Sequence, residues 1–161
     1  MRIDARCRHM NTILVAINAK YIHSNLAVYS LRAYAKPYRE ETLIAEYTIN
    51  QQMNDILMDL YKKKPDVLCF SCYIWNLTYV ETIVREIRKL MPEVPIWVGG
   101  PEVSYDAEDV LVRLPEVTGV MFGEGEETFW ELMQHYHAEG KPLSEIHGIA
   151  YRGEQWEIYR N

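Results

Sequence analysis

Glycines, carboxylates and aromatics recur in this sequence directly after short apolar runs. Gly99-Gly100-Pro101-Glu102 follows one run, Gly123-Glu124-Gly125-Glu126-Glu127 another, and Ser71-Cys72-Tyr73-Ile74-Trp75-Asn76 a third. Asn18-Ala19-Lys20-Tyr21-Ile22-His23-Ser24-Asn25 and Glu46-Tyr47-Thr48 follow the first two runs of the chain. Glycine lets the backbone take positive φ or come close to another group. Tight turn geometry and a bound ligand both account for one such turn, and two on one rim favour the ligand. Nucleotide phosphate is a poor candidate, because Glu124, Glu126 and Glu127 put three carboxylates at a helix start and no P-loop lysine follows. Tyr21, Tyr47, Tyr73, Trp75 and Tyr105 lie within a few residues of strand ends. Tyr and Trp give wide contact area with a polar tip, which suits a broad planar ligand or another domain.

Other chemistries fit less well. Cys69 and Cys72 are spaced like a metal or redox pair, but residues three apart on a strand point to opposite faces, and no second pair exists. Both are read as buried structural thiols. With Cys7 they make an odd total, against a disulfide framework. His23 could ligate a metal axially, although an isolated loop histidine is more often a surface or capping residue; His135 and His137 fall on a helix. A phosphoacceptor receiver needs an acidic pair after the first strand, an Asp after the third and a Lys after the fifth. Asn18, Ser71 and Gly123 stand there instead.

The elements that position these loops are legible in the pattern. The chain has 161 residues, 48% apolar and 25% charged, which predicts one folded domain. Thr12–Ile17, Thr42–Ala45, Val67–Ser71, Ile96–Val98 and Val117–Phe122 are short apolar runs of the kind covered on both faces in a parallel sheet. Helical stripes separate them. Ala27, Val28, Leu31, Tyr34 and Ala35 form the first, closed by Pro37; Met53, Ile56, Leu57, Leu60 and Tyr61 the second, with Asn50 as its cap. The third runs from Leu77 to Met91 behind Asn76, and shorter stripes cover Ala107–Leu114 and Phe129–Tyr136. Right-handed crossovers then predict an α/β, flavodoxin-like (Rossmann-like) fold: a five-stranded parallel sheet of order 2-1-3-4-5, with helices on both faces. Ile149–Arg152 and Gln155–Tyr159 read as a C-terminal β-hairpin that need not join the sheet. Ligands of such sheets bind beyond the carboxyl ends of the strands, where the loops above lie.

Charge and hydropathy narrow the partners. The net charge is −6, the pI is near 5.4 and the basic residues are scattered, so nucleic acid is not an expected partner. No apolar run spans a bilayer and the start lacks a secretory core, which predicts no membrane contact and a cytoplasmic location. Residues 1–9, with three Arg and no apolar period, read as a disordered or adventitious start.

With its loops assembled, the chain resembles the N-terminal cobalamin-binding domain of cobalamin-dependent radical S-adenosylmethionine enzymes, over about Met10 to Glu139. The most specific parts are Ile96-Trp97-Val98-Gly99-Gly100-Pro101-Glu102 and Phe122-Gly123-Glu124-Gly125-Glu126-Glu127-Thr128-Phe129, with Ser71-Cys72-Tyr73 similar to the family's Ser-bearing loop. The resemblance implies a cobalamin-binding domain over residues 10–145 and a hairpin or linker over 146–161 leading to a radical S-adenosylmethionine barrel of the same polypeptide. S-adenosylmethionine and a [4Fe-4S] cluster would belong to that barrel, because the three cysteines here cannot supply its Cys-x-x-x-Cys-x-x-Cys run. It also implies that Ser71, Gly99 and Gly100 line a slot for the nucleotide tail of the cofactor. Cobalamin domains generally carry an Asp-x-His-x-x-Gly loop after the first strand. Here Lys20 stands in the place of that histidine, similar to family members that bind cobalamin with its base detached and no protein imidazole on cobalt.

The implied ligand surface comprises Asn18, Lys20, Tyr21, Ile22 and His23, then Ser71, Tyr73 and Trp75, then Gly99 to Glu102, and finally Gly123, Glu124, Gly125 and Glu126. Neither a catalytic residue nor a protein metal ligand is assigned, and methyl transfer is the expected use of the cofactor. Two alternatives stay open. One is a flavodoxin-like interaction domain of a radical S-adenosylmethionine protein that has lost its cofactor. The other is the N-terminal domain of methylthio-transferring radical enzymes, disfavoured because Cys7 precedes the first strand and Cys69 lies inside the third.

Overall fold

The protein is described by a computed structural model covering residues 9–20 and 24–161. Its centre is β1 (Thr12–Asn18), buried along its whole length because helices cover both faces of the sheet. Strand β2 (Thr42–Thr48) pairs on one side of it and β3 (Val67–Ser71) on the other, followed outward by β4 (Ile96–Gly99) and β5 (Gly119–Met121), all parallel. The order 2-1-3-4-5 is the one expected. The hairpin strands β6 (Ile149–Arg152) and β7 (Ile158–Arg160) do join the sheet, antiparallel, as sixth and seventh members. They cover the β5 edge, and Ile149, Ala150 and Tyr151 are buried there.

Alternation along the strands divides the interior into two cores. Ile13, Val15 and Ile17 face one side, packed with α2 (Met53–Lys62), α3 (Leu77–Leu90) and α5 (Ala107–Arg113). Leu14 and Ala16 face the other, against α1 (Leu26–Tyr34) and α6 (Gly125–Tyr136). The chain thus leaves β1 toward one face and β3 toward the other, and the switch point lies between their carboxyl ends. The fully buried Trp97 fills the second core. Its Nε1 donates to the Tyr136 hydroxyl at 2.7 Å, and the absence of a Cβ on Gly119 makes room for its ring.

Three local expectations change. Strand β2 continues through Glu46-Tyr47-Thr48, so Tyr47 is not a rim aromatic; it is buried in the first core and donates to Asp59 Oδ2 at 2.6 Å. Helix α2 starts at Met53 behind Gln52, not at an Asn50 cap, because Gln51 Oε1 is bonded to the Thr48 amide and closes the preceding turn. A one-turn helix, α4 (Pro101–Ser104), follows β4, started by the fixed φ of its proline. The expectations for residues 1–8 and for Tyr21, Ile22 and His23 lie outside the described residues.

Candidate functional site

Where β1 and β3 part, the strand ends leave a hollow that neither helix layer closes. A cavity of about 490 Å³ opens there. Leu14, Cys69 and Met121 lie at its base, Ala27, Val28 and Leu31 of α1 form one wall, and the loops after β3, β4 and β5 form the other. From those loops come Ser71 and Tyr73, Gly99, Gly100 and Pro101, and Gly123, Gly125 and Glu126, together with Ser104 and Tyr105 from α4 and its end. A second hollow of about 400 Å³ adjoins it through Ala27 and Tyr73, and contains Asn18, Asn25 and Trp75.

Two buried asparagines build the rim. Asn76 is fully buried at the start of α3; its Nδ2 donates to the carbonyls of Ile17 at 2.9 Å and Ser71 at 3.0 Å, and its Oδ1 accepts from the Tyr73 amide at 2.8 Å. One side chain thereby ties the end of β1 to the loop after β3. It occupies the expected cap position, but its polar atoms serve this crossing. Asn25 caps α1: its Oδ1 accepts from the Ala27 amide at 3.1 Å, and its Nδ2 donates to Ser71 Oγ at 3.0 Å. Beneath it the Glu46 carboxylate accepts from Asn18 Nδ2, the Asn25 amide and the Tyr29 hydroxyl, which joins β1, β2 and α1.

The two glycine turns differ physically. Gly100 has φ +110°, and a Cβ there would run into the Cys72 carbonyl, so this glycine serves the close approach of the loops after β3 and β4. Gly123 has φ +74° and open space where its Cβ would stand, which leaves the cavity lip free of side chain. Tyr73 and Trp75 stack with centroids 4.5 Å apart and planes 8° from parallel, and Trp75 Nε1 lies 3.4 Å from the Ile17 carbonyl. Tyr105 is 90% exposed at the mouth. Burial pushes the Cys69 thiol at the base up to about 12, so it stands there as a neutral group.

Ser71, Tyr73, Gly99, Gly100, Pro101, Gly123, Gly125 and Glu126 therefore meet around one cavity, while Asn18 and Trp75 line the adjoining hollow. Glu126 is held by the Ser30 hydroxyl at 2.7 Å. Lys20 is exposed beyond the end of β1, Glu102 is turned into the first turn of α4, and Glu124 sits exposed at the cap of α6; none of these three lines either hollow. Tyr21, Ile22 and His23 lie outside the described residues. Among the described residues no cluster of His, Cys, Asp or Glu could hold a metal ion. The sequence reading missed Asn25 and Glu46 as site-building residues. Asn25 does carry a signal, an asparagine directly before an apolar helical stripe.

Comparison with known proteins places this architecture. Residues 12–133 match the B12 binding domain family, and the chain belongs to that family. It is 26% identical, over 94% of its length, to "Cobalamin-dependent radical SAM methyltransferase TokK" of Streptomyces tokunonensis, of which it covers 22%. The structure of OxsB, a cobalamin-dependent S-adenosylmethionine radical enzyme with aqua-cobalamin bound, superposes on 94% of the chain with a TM-score of 0.75 at 21% identity, over 22% of that enzyme. A cobalamin-binding protein from Desulfitobacterium hafniense superposes on 80% of the chain and 59% of its own, with a TM-score of 0.57 at 14% identity. The chain spans 13 to 22% of the length of the curated relatives it matches.

The cavity fits the cofactor of this family on its own chemistry. Its walls are largely apolar, its lip at Gly123 is open, and the Ser71 hydroxyl receives a hydrogen bond from Asn25 while its own proton has no acceptor among the described residues. An apolar slot with one unspent donor suits a heteroaromatic ring bearing an acceptor atom.

Proposed function

We propose that this chain is the corrinoid-holding module of a cobalamin-dependent radical S-adenosylmethionine methyltransferase. The observation that carries the reading is the cavity at the switch point, formed by the Ser71 loop and both glycine turns. In it Ala27, Val28 and Leu31 exclude water from the nucleotide tail, Ser71 donates a hydrogen bond to it, and Gly123 leaves the lip open. Tyr73, Trp75 and Tyr105 give the macrocycle, or the domain above it, an aromatic rim. When bound, the cofactor supplies its cobalt as the carrier of the transferred methyl group. Lys20 stands where the family's loop carries a histidine, so this position would offer the cofactor no imidazole, and the slot at Ser71 would hold its nucleotide tail.

The catalytic barrel, its S-adenosylmethionine and its [4Fe-4S] cluster are proposed to lie elsewhere in the same polypeptide. The hairpin supports this placement. Strand β7 returns toward the edge that carries the cavity, where the Gly148 amide donates to the Asn161 carbonyl, so residues 146–161 would both close the sheet and lead to the ligand side. No helix among the described residues is long and apolar enough to cross a membrane.

Titration of the purified protein with hydroxocobalamin tests the reading. Binding is expected to shift the visible bands to those of the base-detached form, with pink colour co-eluting with protein on gel filtration. An unchanged spectrum and colour-free protein, both for this chain and for a longer form carrying the barrel, would overturn it. The exposure of Leu26, Ile74 and Tyr105 favours a second reading, an interaction domain that keeps the fold without the cofactor. In that case the same titration is silent while the chain still binds the barrel.

A further inference from the structure

The direction of one hydrogen bond in the cavity is fixed by the backbone of α1. The amide at position 27 needs an acceptor, and Asn25 Oδ1 supplies it at 3.1 Å, which orients the side-chain amide. Nδ2 must then face Ser71 Oγ, 3.0 Å away, and it can only donate. A serine hydroxyl has one proton and two lone pairs, and one lone pair is now engaged. The only hydrogen bond of the Ser71 hydroxyl among the described residues is the one it accepts from Asn25, so its proton is available to the cavity that Ser71 lines.

We infer that Asn25 is a positioning residue that makes Ser71 a dedicated donor, and that this pair sets which corrinoid tails the module accepts. This rests on the proposed corrinoid-binding function. A tail ending in a benzimidazole-type ring presents, once detached from cobalt, a ring nitrogen that accepts from Ser71. A tail ending in a phenol ring joined through its oxygen has no such nitrogen, and leaves the donor unpaired. An unpaired buried donor is disfavoured by about tenfold in affinity.

The test compares three corrinoids, cobalamin, p-cresolyl cobamide and tailless cobinamide, by visible titration of the wild-type chain and two variants. Wild type is expected to bind cobalamin about tenfold tighter than p-cresolyl cobamide. Asn25→Asp keeps an oxygen on the Ala27 amide and so keeps the cap, but its second oxygen accepts from Ser71 and turns the hydroxyl proton away from the cavity. That variant should lose the preference while binding cobinamide as wild type does. Ser71→Ala should lose it too, and carries the test alone if Asn25→Asp fails to fold. Retention of the wild-type preference by folded Asn25→Asp overturns the inference, since a capping role alone predicts that result, and retention by folded Ser71→Ala overturns it by removing the donor on which it rests. Absence of preference in wild type overturns it as well, leaving corrinoid binding intact. Failure of all three corrinoids to bind wild type, both as this chain and as a longer form carrying the barrel, instead removes the functional reading beneath it.

Discussion

Gly100 and Gly123 show how residues of one type on one rim do different work. Adding a side chain at Gly100 forces the Cys72 carbonyl away, and the loop after β3 with it. Gly100→Ala is expected to lower stability by about 2–3 kcal/mol, from a left-handed φ and a backbone clash together, read as a lower midpoint in chemical denaturation. Gly123→Leu meets open space, so it should cost only about 1–2 kcal/mol for its φ. Its larger effect should be on cobalamin affinity, at least tenfold weaker by titration because the lip is filled. An equal loss of affinity in a well-folded Gly100 variant would contradict this division. The cysteines give a second prediction. Burial pushes both Cys69 and Cys72 up to about 12, so neither should alkylate with iodoacetamide at pH 8 until the protein unfolds. Mass mapping of a Cys7→Ser chain checks it. Glycine-bearing turns on a shared rim were readable in the sequence, but which glycine faces backbone and which faces space depends on loops about thirty residues apart.

Among the elements, the central strands and the helical stripes were legible because both of their faces are buried and their periods are unambiguous. The extension of β2 was not. Glu46 breaks the apolar run, and only the carboxyl end of β1 beside it, with Asn18 and Asn25 donating to that carboxylate, accounts for its place in a strand. Tyr47 follows as a core residue bonded to Asp59. That contact has a consequence for pH. The Lys63 ammonium and the Tyr47 hydroxyl, both bonded to Asp59, hold its carboxyl below the usual range despite some desolvation. A folded value below the unfolded one stabilises the protein fully above about pH 4, and this contribution fades as pH falls through the depressed value. Asp59→Asn is expected to flatten the acid limb of a Tm-versus-pH curve and to leave its neutral region comparatively unchanged in slope. An unaltered acid limb would remove Asp59 from the account.

For the whole molecule, the position of the cavity at the carboxyl edge followed from alternation and topology, whereas the integration of the hairpin did not. Its strands are short, and only β5 explains why they join the sheet rather than project from it. Removing residues 146–161 should therefore unpair β5 and expose the partners of Ile146, Ile149 and Tyr151. A loss of several degrees in Tm, or aggregation by light scattering, is the expected outcome; an unchanged melt would show that the hairpin is dispensable to the fold.

The cavity also draws on one layer of the molecule more than the other. Leu14, Val28, Cys69 and Met121 at its base and wall all belong to the α1/α6 side, while the larger core under α2, α3 and α5 contributes Phe70 alone among its buried members. On the proposed function, recognition and robustness fall on opposite sides of a common sheet. Sequence drift beneath α3 can change how firmly the protein stands without altering what it admits, and a changed ligand preference can arise under α1 while the main support stays as it was.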